Sequence, residues 1–200
     1  RATLEEARGF LRLPLASPVT ASREPPARGG SPEAAQRLFA ASRPITGTLA
    51  ETYLRHRGIL PPPDARALRF HPRCYYRSAS ERQTWPALIA AVTSLDGVLT
   101  GVHRTYLSAF GINPSGCGKA PVDHPRRAMG HLIGNGVRFG AARDVLAAGE
   151  GIETMLALKT VLPAMPMAAA LSAAHLAALI PPPSLRRLYA ACDNDKAGRL

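Results

Sequence analysis

The last quarter of the chain restricts the fold most, because short apolar runs alternate there with helical stretches. Residues 144–148 (Asp-Val-Leu-Ala-Ala) read as a buried strand and residues 151–162 as a helix. Residues 166–171 read as a second strand, 172–180 as a helix capped by Ser172, and 187–192 as a third strand. The alternation β-α-β-α-β predicts a parallel sheet. In open parallel sheets ligands gather at the carboxyl ends of the strands. Two acidic signals fall at such ends: Gly149-Glu150-Gly151 after the first strand and Asp193-Asn194-Asp195 after the third. With these strands side by side, Glu150, Asp193 and Asp195 would converge on one crevice. An oxygen-only donor set without His or Cys suits Mg²⁺ or Mn²⁺. Taken alone, the same residues also suit an exposed turn and a helix N-cap.

The front of the chain is organised differently. Residues 1–13 pattern as a short amphipathic helix with Leu4, Ala7, Phe10 and Leu11 on one face, followed by a Pro/Gly-punctuated linker to about residue 30. Ser31 followed by Pro32 and Glu33 opens a helix expected to run to about Ser42. Thr48 caps a second helix that Gly58 ends. A short strand is expected over 67–71. Two longer apolar runs, 85–93 and 98–107, are joined through Leu95-Asp96-Gly97, a strong hairpin signal. Residues 108–136 read as a long ordered loop.

Charge follows the same division. Residues 1–147 hold 20 Lys/Arg against 10 Asp/Glu, and residues 148–200 hold 5 against 4. A basic body beside a nearly neutral segment with clustered acids fits an enzyme that binds a polyanion. Arg outnumbers Lys 22 to 3, so compositional drift would account for part of the excess.

Several classes are set aside. There is no run of 18 uncharged apolar residues, so no membrane-spanning helix is expected, and residues 1–30 lack the apolar core of a signal peptide. Cys74, Cys117 and Cys192 form no CxxC pair, so a reducing, cytoplasmic setting is expected, and their spacings with His71, His124 and His131 match no zinc pattern. Gly116-Cys-Gly-Lys119 fails as a P-loop, because Ala120 stands where a Ser/Thr must hold magnesium. Trp85 reads as core, and Tyr75-Tyr76 beside Arg73 and Arg77 as a partly exposed loop pair that could stack on bases.

Glu-Gly after one strand and Asp-x-Asp-x-x-Gly after another resembles the Toprim signature, shared by bacterial-type primases, type IA and II topoisomerases and some nucleases. The segment Asp96-Gly-Val-Leu-Thr-Gly-Val-His-Arg104, with Gly118-Lys119-Ala120 and Gly130 after it, is similar to what bacterial-type primases carry ahead of their Toprim fold. Closer still are phage-, plasmid- and integrative-element Toprim proteins, with strings like Pro44-Ile-Thr-Gly-Thr-Leu-Ala-Glu-Thr-Tyr-Leu54, Leu68-Arg-Phe-His71, Trp85-Pro-Ala-Leu88 and Glu150-Gly-Ile-Glu-Thr154. The opening Thr3-Leu-Glu-Glu-Ala7 resembles the segment that follows a zinc-binding domain in such primases.

The resemblance implies an α/β fold: a Rossmann-like Toprim domain over 143–200, cut short at Leu200, behind a mixed α+β subdomain over 31–142 and an N-terminal segment and linker over 1–30. It implies a DNA primase that makes short primers on single-stranded DNA from nucleoside triphosphates by two-metal nucleotidyl transfer, in association with a replicative helicase. Glu150, Asp193 and Asp195 would be both catalytic and metal ligands for Mg²⁺ or Mn²⁺, and Arg104 and Lys119 would bind the nucleotide. A Toprim nuclease and a non-catalytic DNA-binding replication module are the alternatives. One departure stands out. Cellular primases carry an Asp four residues after the Glu, where this chain has Thr154, and the adjacent Glu153 is expected to face elsewhere.

Overall fold

The computed structural model describes residues 30–62, 65–78, 81–109 and 117–191. The N-terminal helix and linker, Cys192, Asp193 and Asp195 lie outside the described residues.

Helix α1 (Pro32–Ala40) begins as expected, with the Ser31 hydroxyl accepting from the Ala34 N–H at 3.3 Å. A two-residue strand β1 (Arg43–Pro44) leads to helix α2 (Leu49–His56). Thr48 makes no side-chain cap there; the Glu51 carboxylate instead accepts from the Gly47 N–H at 2.7 Å, anchoring the first turn.

Strands β2 (Leu68–Arg77), β3 (Arg82–Thr93) and β4 (Leu99–Ser108) form an antiparallel meander. Strand β2 is twice the length expected, and it carries Tyr75 and Tyr76 on a strand, not a loop. Its pairing shifts between His71 and Cys74, opposite Ala87 and Trp85. Pro72 and Pro86 fall in this interval, and neither has an N–H to give the ladder, so a bulge absorbs both. That break in the apolar pattern also hid the second half of the strand from sequence reading.

The stretch 108–136 is not simply a loop. Strands β5 (Gly118–Lys119) and β6 (Arg126–Gly130) both pair antiparallel with β4. Gly130 makes that pairing fit: it has φ +96°, and a Cβ there would lie 2.4 Å from the Thr100 carbonyl oxygen. The run Arg126-Arg127-Ala128-Met129 has no alternation to announce a strand, so its pairing is decided by β4.

The second sheet joins β7 (Val137–Phe139), β8 (Val145–Gly149), β9 (Met167–Ala169) and β10 (Arg187–Ala191) in the order β10-β8-β9-β7. Strands β8, β9 and β10 are parallel, as the alternation predicts. Strand β7 closes one edge antiparallel to β9, so the second sheet draws a strand from before residue 143. Helix α3 (Ile152–Val161) has Gly151 as N-cap, and helix α4 (Ala173–Ala177) is shorter than its predicted span. The latter continues as single turns through Leu179, ahead of Pro181 to Pro183.

One core joins the two sheets. Leu54 from α2, Leu88 and Val92 from β3, Phe139 from β7, Met155 and Leu156 from α3 and Met167 from β9 are buried in the same cluster. A β-bridge between Thr93 and Gly136 ties the backbones together. The architecture is mixed α/β, an antiparallel sheet packed beside a mostly parallel one. No helix among the described residues is long and apolar enough to cross a membrane.

Candidate functional site

Glu150 is the first residue after β8, and β10 is the parallel neighbour of β8 with Ala191 in register with Gly149. Asp193 and Asp195 follow Ala191 by two and four positions in sequence, beyond the described residues. The backbone at Glu150 is pinned from the other side: its carbonyl accepts from the Leu171 N–H at 2.9 Å, and that of Gly149 from Ala170 at 2.8 Å. Leu171 has φ +81°, an uncommon conformation for a bulky side chain, and it lines the same cleft as Glu150. Strain of this kind is held in place by surrounding structure and concentrates at functional sites.

Gly149 is required by close approach. A Cβ there would meet the Met155 sulfur at 2.7 Å and the Ala191 carbonyl oxygen at 2.9 Å, so only glycine lets α3 and β10 close on the end of β8.

The cleft holds about 310 Å³ between the two sheets. One wall is the end of β8, the start of α3 and the β9–α4 turn, with Glu150, Glu153, Leu171, Ser172 and His175. The other is β4 and β6, with His103, Arg126 and Arg127. Glu153 therefore faces the same cleft as Glu150, contrary to the sequence expectation. The two are three apart across a helix start, a spacing that puts side chains on one face.

Glu153 is the best-supported side chain of the site. The Tyr53 hydroxyl, from α2, donates to its carboxylate at 2.9 Å across 100 positions of sequence. Burial pushes the Glu153 carboxyl up. Its own backbone N–H, the Tyr53 hydroxyl and the Arg126 and Lys119 cations outweigh this, and hold it below the ordinary carboxylate range. Glu153 is thus an anion inside a partly dry cleft. Tyr53 is pushed well above the usual phenol range, first by burial and then by the Glu153 charge.

His103 is buried, and its Nδ1 has no hydrogen-bond partner. Burial, opposed by Glu153 and reinforced by Arg126, Arg104 and Lys119, lowers its pKa to about 4. The imidazole is neutral at pH 7. Burial is also the first cause lowering the Lys119 pKa, followed by the Arg126 charge, while Glu153 acts in the opposite sense. Lys119 thus lies within the field of Glu153.

Arg104 is not brought to this cleft. His103 and Arg104 are adjacent on β4, and successive side chains of a strand point to opposite faces. Arg104 lines a separate groove with Tyr76, Tyr106 and Arg127, its guanidinium 5.9 Å from the Tyr106 ring centroid. The residues sequence reasoning missed are His103, Glu153, Arg126 and His175. The period-2 alternation of β4 could have shown that His103 and Arg104 do not share a face, and the three-residue spacing could have paired Glu153 with Glu150. The Arg126-Arg127 pair reads from sequence as a solvated loop sooner than a DNA contact, and nothing in the sequence pointed to His175.

No group of three or more metal-ligating side chains is assembled among the described residues. Glu150, at the carboxyl end of a parallel strand with an oxygen donor, still fits a hard divalent cation in kind and position. Thr154 packs closely on Gly151, where a Cβ would meet its hydroxyl at 2.8 Å.

Residues 29–139 match the family model described as a domain of unknown function (DUF7146), and residues 145–200 match a Toprim domain model. No curated protein and no solved structure matches the chain. Toprim domains occur in enzymes acting on DNA and generally bind Mg²⁺, and the helix-and-meander unit ahead of this one coincides with the first match. The chain belongs to the DUF7146 family and carries a Toprim domain behind its family region.

Proposed function

We propose that this protein is a primase-like nucleotidyltransferase that makes short primers on single-stranded DNA. The observation that carries the reading is the meeting of anions and cations across one cleft: Glu150 and Glu153 on the Toprim wall, Arg126 opposite them, and Lys119 within the field of Glu153. An incoming nucleoside triphosphate brings several negative charges, which basic side chains opposite the metal-binding acids would hold. Simple strand cleavage needs no such clamp.

In this reading Glu150, Asp193 and Asp195 hold Mg²⁺ or Mn²⁺, which when bound neutralises phosphate charge and favours attack by a hydroxyl. Arg126 and Lys119 hold the triphosphate. Glu153, fixed by Tyr53, keeps those two cations in place when no nucleotide is bound. His103 offers a neutral hydrogen-bonding ring, without adding charge to a site that must bind both an anion and cations. Arg104, on the other face of β4, is left out of the nucleotide site.

The test uses full-length protein with Mg²⁺ or Mn²⁺, a single-stranded template and labelled nucleotides. The expected result is short template-dependent oligomers, lost in Asp193→Ala and reduced in Arg126→Ala and Lys119→Ala. Strand cleavage without incorporation, indifferent to Lys119→Ala, would replace this reading by a Toprim nuclease. DNA binding with neither activity would replace it by a non-catalytic replication module.

A further inference from the structure

The groove that takes Arg104 has its own composition. It holds about 410 Å³ and is lined by four arginines (Arg77, Arg82, Arg104 and Arg127) and three tyrosines (Tyr75, Tyr76 and Tyr106), with no carboxylate among the lining residues. The nearby Glu81 accepts a hydrogen bond from the Gln83 amide at 3.3 Å.

Two of the tyrosines build the groove. Tyr76 and Tyr106 are buried and meet edge to face, centroids 5.1 Å apart at 88°. The Tyr106 hydroxyl donates to the Tyr75 carbonyl at 2.7 Å, and Arg127 stacks over Tyr76 at 4.3 Å while donating to the Arg77 carbonyl at 2.7 Å. The positions of Arg127 and of the β2 end are therefore fixed before any ligand arrives.

Tyr75 is 73% exposed, Arg77 and Arg82 are exposed, and the buried Nε of Arg104 has no hydrogen-bond partner. A cationic furrow with an exposed aromatic suits a chain of phosphates that carries flat bases, since every base can stack and every phosphate is an anion. A rigid duplex does not offer unstacked bases to an isolated ring.

We propose that this groove binds single-stranded nucleic acid, with a base stacked on Tyr75 and the backbone held by Arg77, Arg82, Arg104 and Arg127. Arg127 lines both this groove and the Glu150 cleft, and β6 runs between them. A strand held here passes beside the reaction site. The inference rests on the nucleic-acid reading above and names the surface that holds the strand, but it does not require the cleft to be catalytic.

The experiment measures binding of a fluorescent oligothymidylate about 15 nucleotides long to the full-length protein by anisotropy, in EDTA, over a range of salt. The charge reversals Arg77→Glu and Arg82→Glu fall on exposed positions and leave the core intact. Together they are expected to weaken binding more than tenfold. They should also flatten the salt slope by about 1.4, the loss of two phosphate contacts to a single strand. Tyr75→Ala is expected to weaken binding about tenfold and Tyr75→Phe to preserve it, as a stacked ring requires. Affinity within twofold of wild type in either the double reversal or Tyr75→Ala overturns the proposal, as does tighter binding of a duplex of equal length. A protein that binds through these residues but makes no primers would refute the catalytic reading alone and leave the groove standing.

Discussion

Replacing Tyr53 by Phe removes a single hydroxyl and leaves the buried ring in place, so it isolates the bond that ties α2 to the Toprim helix. That hydroxyl donates to Glu153 at 2.9 Å, and the ring is 2% exposed. A hydrogen bond to a charged group contributes about 1.5–3 kcal/mol. Glu153 keeps its own backbone N–H and the Arg126 and Lys119 charges after the substitution, so a loss near the lower end, about 1.5 kcal/mol, is expected. Glu153→Gln retains an acceptor but not the charge. A double-mutant cycle by urea denaturation at pH 7 should therefore return a coupling of about 1 kcal/mol. The sign of the pH dependence follows from the direction of the Glu153 shift. Its folded pKa lies below the ordinary value of 4.5, so the charged form stabilises the fold fully above 4.5, and the contribution is lost as pH falls through the folded pKa. The gap between wild type and Tyr53→Phe should be constant from neutral pH to about 5 and close below it. A Tyr53→Phe variant as stable as wild type at pH 7, or a gap that widens on acidification, would refute the argument.

Three other outcomes follow from the same geometry. Gly130→Ala forces a side chain into a φ of +96° and places its Cβ 2.4 Å from the Thr100 carbonyl oxygen; backbone strain and overpacking together should cost about 3 kcal/mol, and an unchanged urea midpoint would contradict the β4–β6 pairing. His103, with its pKa lowered to about 4 from 6.5, stabilises the fold fully above 6.5 and loses that contribution as pH falls toward 4. His103→Asn should flatten this limb by up to about 1.4 kcal/mol per pH unit, and an identical limb in the variant would show that the ring is not buried neutral. Glu150→Gln should abolish the rise in Tm produced by Mg²⁺ in wild type; a rise of equal size would remove Glu150 from the metal site.

The parallel part of the fold was legible because its signals are local. Apolar runs of strand length, separated by helices with Ser172 or Gly151 at their starts, leave few arrangements, and β8 and β10 are neighbours as that reading requires. The antiparallel part was legible only where the hairpin chemistry is local, at Asp96-Gly97. Strand β6 holds Arg126 and Arg127 in a ladder set by β4, a partner some twenty positions earlier. Strand β2 is broken in pattern by Pro72, though not in space. The site shows the same contrast. Glu150 announces itself by following a strand. His103 and Arg126 belong to the cleft only because the antiparallel sheet packs beside the parallel one, a relation without a sequence signature. Arg104 has the charge and the family resemblance expected of a nucleotide-binding residue, but strand alternation carries it to the opposite face.

This arrangement limits how the two family regions can divide the work. A DNA-binding module appended to a self-sufficient Toprim domain would meet it through a small, polar contact. Here β7 leaves the first region to pair with β9, and Leu54, Leu88 and Val92 share a core with Met155, Leu156 and Met167. The Tyr53 hydroxyl supports a cleft carboxylate from 100 positions away. The cations that act on Glu153, Arg126 and Lys119, come from strands that pair with β4, not from the Toprim sheet. The region ahead of the Toprim domain therefore supplies a wall of the cleft, part of its charge and part of the core beneath it. If the proposed function holds, substitutions at β4 and β6 should impair activity as directly as substitutions in the Toprim domain itself, whereas those at Arg77 and Arg82 should weaken strand binding.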